Sequence, residues 1–350
     1  MKSVSAVLVF LVLLLASVCQ FELVSAVDSV VIRSDGSVEG NGLVFSGGVY
    51  VFVQDIYVQI LVEKDDVTVD GSGYVLAGLK GGIFLENRSG VVVRGVTVVD
   101  APFGITVVDG KNNQITESNC SIHLQDTFNN TIYGNERISL LFSNASENIV
   151  NGNNITSSDV YGFKLQKFSN QNIIFGNNVT ENTSGIEFHG ESNNNTVYEN
   201  NITHNSQGMI FYSSFNNSIY DNMISFNTNS AMYLQSTGKN MFYGNDFVDN
   251  GDPIVCWYSS NIWDNGTKGN YWSDYNGTDA DGDGIGDTPY YILTVDFEGE
   301  SHDSDNYPLM EPNVIPEFPS WTLLSILLIT FVTIATVYRR SLTDTKRKSR

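Results

Sequence analysis

Apolar and polar residues alternate in short runs down the middle of this chain, and the runs return at a near-constant interval. A hexapeptide with Asn at both ends marks each return: Asn148 to Asn153, Asn172 to Asn177, Asn195 to Asn200, Asn217 to Asn222 and Asn240 to Asn245. The starts step by 24, 23, 22 and 23 residues. A period of this length marks a solenoid in which each repeat is one coil. A second series, Gly162-Phe163, Gly185-Ile186, Gly208-Met209 and Ala231-Met232, keeps a step of 23. Runs rich in Val, Ile, Phe, Tyr and Thr predict short strands instead of helices. The Asn and Gly between them predict bends, because both tolerate left-handed backbone. One coil then holds three short strands and three bends, which is the parallel β-helix arrangement of an all-β chain.

Weaker copies extend the pattern upstream through Gly90 to Gly95 and Asp66 to Gly71, with Asn113 to Ser118 between them and the main series. The starts at Asn130 and Asn148 step by only 17 and 18, so two coils must lack a loop or part of a strand. The full reading is roughly nine coils, on the order of 40 Å at the spacing of paired strands. Stacking places like over like. Val150, Ile174, Val197, Ile219 and Phe242 should form one inward column, and Asn153, Asn177, Asn200, Asn222 and Asn245 an amide ladder at a bend. Met209 and Met232 fall in a core column with Phe163 and Ile186, which argues for packing over a thioether metal site.

The ends read differently. Residues 1–26 resemble a signal peptide, with Lys2, an apolar run and Val24-Ser25-Ala26 as a cleavage site. Residues 27–60 read as an N-terminal cap region, 61–262 as the repeats, 263–312 as an acidic C-terminal cap and 313–319 as a linker. Residues 320–338 are long and apolar enough for a transmembrane helix, and the basic tail 339–350 then lies in the cytoplasm, with the β-helix outside. Residues 27–319 carry 37 acidic and 11 basic side chains, a balance that excludes nucleic acid as a partner. Sequons in this region include Asn154, Asn178, Asn201 and Asn216, candidates for glycosylation. Beyond Cys19, only Cys120 and Cys256 remain. They are expected about six rungs apart, roughly 29 Å, and a disulfide needs Cα atoms within about 7 Å, so they should not pair.

Residues 269–292 read GNYWSDYNGTDADGDGIGDTPYYI and are followed by Asp305-Asn-Tyr-Pro-Leu-Met310. Together with Val31 to Gly40, Val69 to Tyr74 and Pro316 to Trp321, these segments resemble the NosD-like right-handed β-helix proteins, also called CASH domains, of the archaeal cell surface. The likeness spans nearly the whole mature chain. It implies a right-handed parallel β-helix at the cell surface. Through the founding member it also suggests an accessory role in copper or other metal handling, or in an exporter system.

Three constellations could carry chemistry. Asp279, Asp281, Asp283 and Asp287, with the backbone carbonyl of Ile285, match the first part of an EF-hand-type loop, and Tyr290 stands where a bidentate Glu would complete it. Calcium bound there would pin the cap and have a structural role. Phe175, Tyr198, Tyr220 and Tyr243 follow inward residues and should form an outward aromatic column, which suits either a polysaccharide or surface glycan, or mutual stacking. Lys164, Glu187 and His189 should share one exposed face with Gln166, Ile210, Tyr212, Tyr233 and Gln235. Polysaccharide hydrolysis normally uses two carboxylates across a groove, and this face offers one, so no catalytic residue is assigned. His123, His189, His204 and His302 form no local pair, and copper is not supported by the residues. The expected role is a membrane-anchored surface protein that binds glycans or is structural. A metal accessory protein and a polysaccharide lyase or hydrolase are the alternatives.

Overall fold

The computed structural model describes residues 29–78, 81–101, 103–156, 160–295 and 299–313. The expected signal peptide, transmembrane segment 320–338 and basic tail lie outside the described residues. Among the described residues no helix is long and apolar enough to cross a membrane.

The chain is an all-β parallel β-solenoid, with eleven strands pairing in parallel along its second face from Val49–Phe52 to Ser260–Ile262. Its first face is a sheet of 14 strands and its second a sheet of 12. Its third face is split into sheets of two and seven strands. A full coil visits all three faces in turn. Asn148 to Asn153 contributes Ile149–Asn151 to the second face, Asn154–Thr156 follows on the third, and Tyr161–Gln166 returns to the first. The step of about 23 residues is therefore one circuit.

The inward column forms in register: Val150 pairs with Ile174, Ile174 with Val197, Val197 with Ile219 and Ile219 with Phe242, and all five are fully buried. On the first face Phe163, Ile186, Met209 and Met232 stack the same way and are equally buried. The Gly that precedes Phe163 has a steric reason. A Cβ on Gly162 would approach Asn182 Nδ2 to 2.8 Å and the Gly185 carbonyl oxygen to 2.9 Å.

The two short coils save their residues at one corner. Only Ser139 separates the third-face strand Glu136–Ile138 from the first-face strand Leu140–Ser143. In a later coil residues 181–183 separate Asn178–Thr180 from Ser184–Phe188. In the other short coil the third face is reduced to a single bridge, Thr97 to Asn119.

Buried asparagines line the corners and hold successive coils together. Asn177 donates from its backbone N–H and its Nδ2 to Asn200 Oδ1, at 3.0 and 2.9 Å. Its Nδ2 also reaches the carbonyls of Val150 and Phe175, both at 3.0 Å. The same bonds recur through Asn153, Asn222 and Asn245. The first Asn of each hexapeptide builds a second ladder with the same geometry, as Asn172 does with Asn195 at 2.9 and 3.0 Å. A third runs from Asn182 through Asn205 and Asn227 to Asn250. The Asn-bearing coils thus meet the backbone donors that their bends would otherwise leave orphaned.

The two ends differ from the repeats. At the start Ser29–Ile32 pairs in parallel with Gln59–Val62 and antiparallel with Val38–Glu39, and Leu43–Ser46 forms a hairpin with Val49–Phe52. At the other end Tyr271–Trp272 and Tyr290–Val295 extend the third and first faces in parallel, and Glu300–Asp305 folds back antiparallel. Cys120, just before Ile122–Gln125, and Cys256, in Asp252–Trp257, are free and buried, and those two first-face strands are well separated along the solenoid.

Candidate functional site

The first face carries the densest polar cluster. Lys164, Glu187, Ile210 and Tyr233 are direct neighbours on successive strands. Lys164 Nζ lies 2.9 Å from Glu187 Oε2, and His189 Nε2 lies 3.0 Å from the same oxygen. The histidine contact is short but is not an aligned hydrogen bond, and the buried Nε2 has no other partner among the described residues. Aromatic rings frame the trio. Lys164 Nζ sits 5.5 Å from the Tyr161 ring, His189 packs on Tyr212 at 4.7 Å, and Tyr212 packs on Tyr233 at 5.5 Å. Tyr233 donates to Gln235 Oε1 at 3.0 Å.

The face expected to be uniformly exposed is not. Glu187 keeps only 7% of its surface exposed and Ile210 only 5%. The long side chains of Lys164 and His189 close over the carboxylate. Burial alone would raise the Glu187 pKa, but the His189 and Lys164 contacts outweigh it and bring it down to about 2. The carboxylate is therefore ionised throughout the neutral range. It is held as a fixed charge, and a general acid needs a pKa near the working pH. Its neighbours in the same row are Lys164, Ile210 and Tyr233, so a second carboxylate does not stand beside it.

The aromatic column lies on the second face. Phe175 stacks on Tyr198 at 5.0 Å, Tyr198 on Tyr220 at 5.2 Å and Tyr220 on Tyr243 at 5.1 Å, with planes within 11° of parallel. Ring faces point along the solenoid at one another, and the edges and hydroxyls point outward. A sugar ring stacks on an exposed aromatic face, and here those faces are already occupied. Burial raises the pKa of all three tyrosines, with Glu199 and Asp221 adding to the effect.

The Asp-rich loop hangs between Tyr271–Trp272 and Tyr290–Val295 in the last coil. Ligand oxygens of Asp279, Asp281 and Asp283 come within 4.8 Å of one another. Asp279 accepts from the backbone N–H groups of Gly282 at 2.7 Å and Gly284 at 2.9 Å, which lower its pKa. Gly282 and Gly284 have φ of 75° and 88°, where a side chain would be strained. Asp287 stands apart from this trio: its Oδ2 accepts from the Ala280 N–H at 2.9 Å. Ile285 bridges Leu309, which ties the loop to the chain after the final hairpin. A cavity of about 380 Å³ lies beside the loop, lined in part by Asp281, Asp283, Asp287, Thr267 and Tyr307.

Copper would need a different donor set. Imidazole, thiolate and thioether ligands suit it, and all-oxygen sites suit calcium or magnesium. His123, His189, His204 and His302 each pack on an aromatic ring, respectively Phe103, Tyr212, Phe226 and Tyr291. Met209 and Met232 are fully buried in the core. Burial pushes the Cys120 thiol up to about 12, far from a thiolate ligand. Among the described residues the acidic trio is the one group of three such side chains with converging ligand atoms, and it is all oxygen.

The sequon residues occupy two settings. Asn154, Asn178 and Asn201 point outward on the third face and bond amide to amide, at 3.1 Å and 2.9 Å. Asn216 is exposed in a bend with φ of 55°. Sequence reasoning did not single out Asp303 and Asp305, on which two amide ladders end. Nor did it find the third ladder, although its members recur at steps of 23, 22 and 23.

With the geometry described, comparison with known proteins adds the following. Among solved structures, the chain is similar to a variant of the periplasmic alginate epimerase AlgG, at 16% identity and a TM-score of 0.42, covering 66% of this chain and 70% of that one. It is also similar to the A-module of a mannuronan C-5 epimerase from Azotobacter vinelandii, at 16% identity and a TM-score of 0.35, covering 62% of this chain and 77% of that one. A third is the Dettilon tailspike protein, at 14% identity and a TM-score of 0.40, covering 64% of this chain and 58% of that one. These likenesses bear on the fold alone. No curated protein matches the chain. The family described as periplasmic copper-binding protein (NosD) matches residues 34–277. The chain belongs to the NosD family of parallel β-helix proteins.

Proposed function

We propose that this protein is an extracytoplasmic glycan-binding solenoid, held at the membrane by the apolar segment 320–338 and presenting the first face as its binding surface. One observation carries the reading. Lys164, Glu187 and His189 form a preorganised charged centre framed by Tyr161, Tyr212 and Tyr233, on the outside of a rigid sheet. Rigid aromatic and charged groups at fixed spacing bind extended polar ligands with little ordering cost. The second-face column is less suited, because its ring faces are spent on one another. A single ionised carboxylate favours binding over hydrolysis.

The copper role in the family description is not carried over, because the oxygen-only cluster and the separated histidines do not fit that metal. The oxygen trio suits calcium in a structural role, as a clasp on the last coil. The test is a glycan array on the full-length chain in detergent. Retention of acidic or neutral polysaccharides should be lost in Lys164→Ala and Tyr212→Ala and kept in Tyr220→Ala. Silence of the wild-type protein on the array, or loss only in Tyr220→Ala, overturns the assignment. Copper uptake by calorimetry with micromolar affinity would restore the metal reading.

A further inference from the structure

The charged centre does not fill the first face. Two outward rows run from it toward the C-terminal end, from coil to coil. Glu187 leads through Ile210 and Tyr233 to Val255, and His189 leads through Tyr212 and Gln235 to Trp257. His189 and Trp257 are three rungs apart, about 14 Å at the strand spacing. The strand that carries Trp257 pairs on both sides, with Ser230–Gln235 and with Tyr290–Val295, so its backbone is fixed.

The other described tryptophans, Trp263 and Trp272, are buried in the core, whereas Trp257 is 39% exposed. Among the described residues its ring stacks on no other ring and its indole N–H donates to no group. The Tyr198 and Tyr220 faces, by contrast, are covered by their neighbours. Beside Trp257, Tyr233 donates to Gln235 Oε1 at 3.0 Å, which fixes the Gln235 amide. Its Nε2 has no acceptor among the described residues.

Charge narrows what this surface can hold. The strands Gln207–Tyr212, Ser230–Gln235, Asp252–Trp257 and Tyr290–Val295 contain no Lys or Arg, and Asp252 is their one carboxylate. The Lys164 ammonium, at the other end of the rows, is spent on Glu187 at 2.9 Å. Carboxylate and sulfate groups are held by Arg and Lys, and these strands offer neither. Residues 27–319, with 37 acidic and 11 basic side chains, also set up a field that repels polyanions. An indole face beside an amide suits a ring with CH groups on its face and hydroxyls on its rim.

Taking the first face as the glycan-binding surface, we propose that Trp257 is a stacking subsite for an uncharged sugar ring. The ligand is then a neutral oligosaccharide long enough to lie from His189 to Trp257. One sugar lays its apolar face on the indole, and Gln235 Nε2 donates to a hydroxyl of the chain. A monosaccharide is too short to engage both ends.

The test is a glycan array followed by calorimetry on the full-length chain in detergent. Neutral glucan and mannan oligosaccharides are set against an oligogalacturonate and a sulfated glycan. At physiological salt the neutral set should bind and the charged set should not. Trp257→Ala should weaken the best neutral probe about tenfold to a hundredfold. Trp257→Phe, which keeps a ring face, should restore most of that affinity, with far-UV circular dichroism unchanged in both variants. Preference for the charged set, or wild-type affinity in Trp257→Ala, overturns the subsite, and loss of binding in Lys164→Ala then still upholds the first-face reading. Silence of the wild-type chain on every probe overturns both.

Discussion

Asn200→Ala should cost far more than an ordinary surface substitution. Asn200 Oδ1 accepts from Asn177 N–H and Nδ2, at 3.0 and 2.9 Å. Its own Nδ2 reaches the carbonyls of Ile174 and Tyr198 and Oδ1 of Asn222, at 3.0, 2.9 and 2.9 Å. Asn222 Oδ1 keeps a donor after truncation, because the backbone N–H of residue 200 also points at it, at 3.0 Å. Asn177 N–H keeps no such substitute, and the Ile174 and Tyr198 carbonyls each lose one donor. An orphaned buried donor costs about 1–3 kcal/mol and each of the two hydrogen bonds given up about 0.5–1.5 kcal/mol, so the change predicts a loss of about 2–6 kcal/mol. Asn200→Asp should cost more still, because an acceptor would then face three acceptors and carry a buried charge. Asn201→Ala is the control: it is half-buried, points outward and gives up one amide contact, to Asn178 at 2.9 Å. The assay is urea unfolding followed by far-UV circular dichroism, with hydrogen exchange to check that neighbouring coils open with the mutated one, since repeat arrays need not be two-state. A loss below about 1 kcal/mol for Asn200→Ala, or one equal to Asn201→Ala, would refute the claim that the buried amides stabilise the stack.

Lys164→Met leaves the Glu187 charge buried and should cost about 3–5 kcal/mol, with much of it recovered in the Lys164→Met, Glu187→Gln double variant; equal losses in both would show that the charge is not the cause. The same pair makes stability pH-dependent. Glu187 is lowered from 4.5 to about 2 on folding, so its contribution of about 3 kcal/mol is full above 4.5 and lost as pH falls through 2, measurable as a drop in urea midpoint. Tyr220→Ala removes two stacked pairs and should cost about 1–3 kcal/mol, and a double-mutant cycle with Tyr198 should show coupling of about 0.5–1.5 kcal/mol; additivity would mean the rings are mere neighbours. Calcium should raise the melting temperature and Asp279→Asn should abolish the rise; calorimetry without uptake removes the clasp.

What could be read from the sequence followed from chain-local regularity. The step of 23 residues and the alternation around Val150, Ile174 and Val197 are local, and the structure stacks those residues in register. The Tyr198 and Tyr220 column was legible as an outward row, but whether the faces or the edges meet solvent depends on rotamers that spacing does not encode. Glu187 lies on the expected strand but is buried, because Lys164 and Ile210 on the two neighbouring strands flank it and His189, two residues on, covers the same carboxylate oxygen. Asp303 and Asp305 were missed because their partners lie 42 and 35 residues away, beyond any repeat. The ladder through Asn182 was legible in principle, but its flanking residues vary enough to hide the recurrence.

The ladder through Asn113, Asn130, Asn148 and Asn172 crosses coils of 17, 18 and 24 residues, yet its backbone-to-amide bonds stay at 3.0, 2.8 and 3.0 Å. The vertical joint between storeys is thus independent of the circumference of each storey. Evolution or an engineer can lengthen one corner into a binding loop, or excise a whole storey from Asn to Asn, without recutting the joints above and below. Variation is cheap around the girth and forbidden along the axis, so novelty in such a chain should accumulate at its corners.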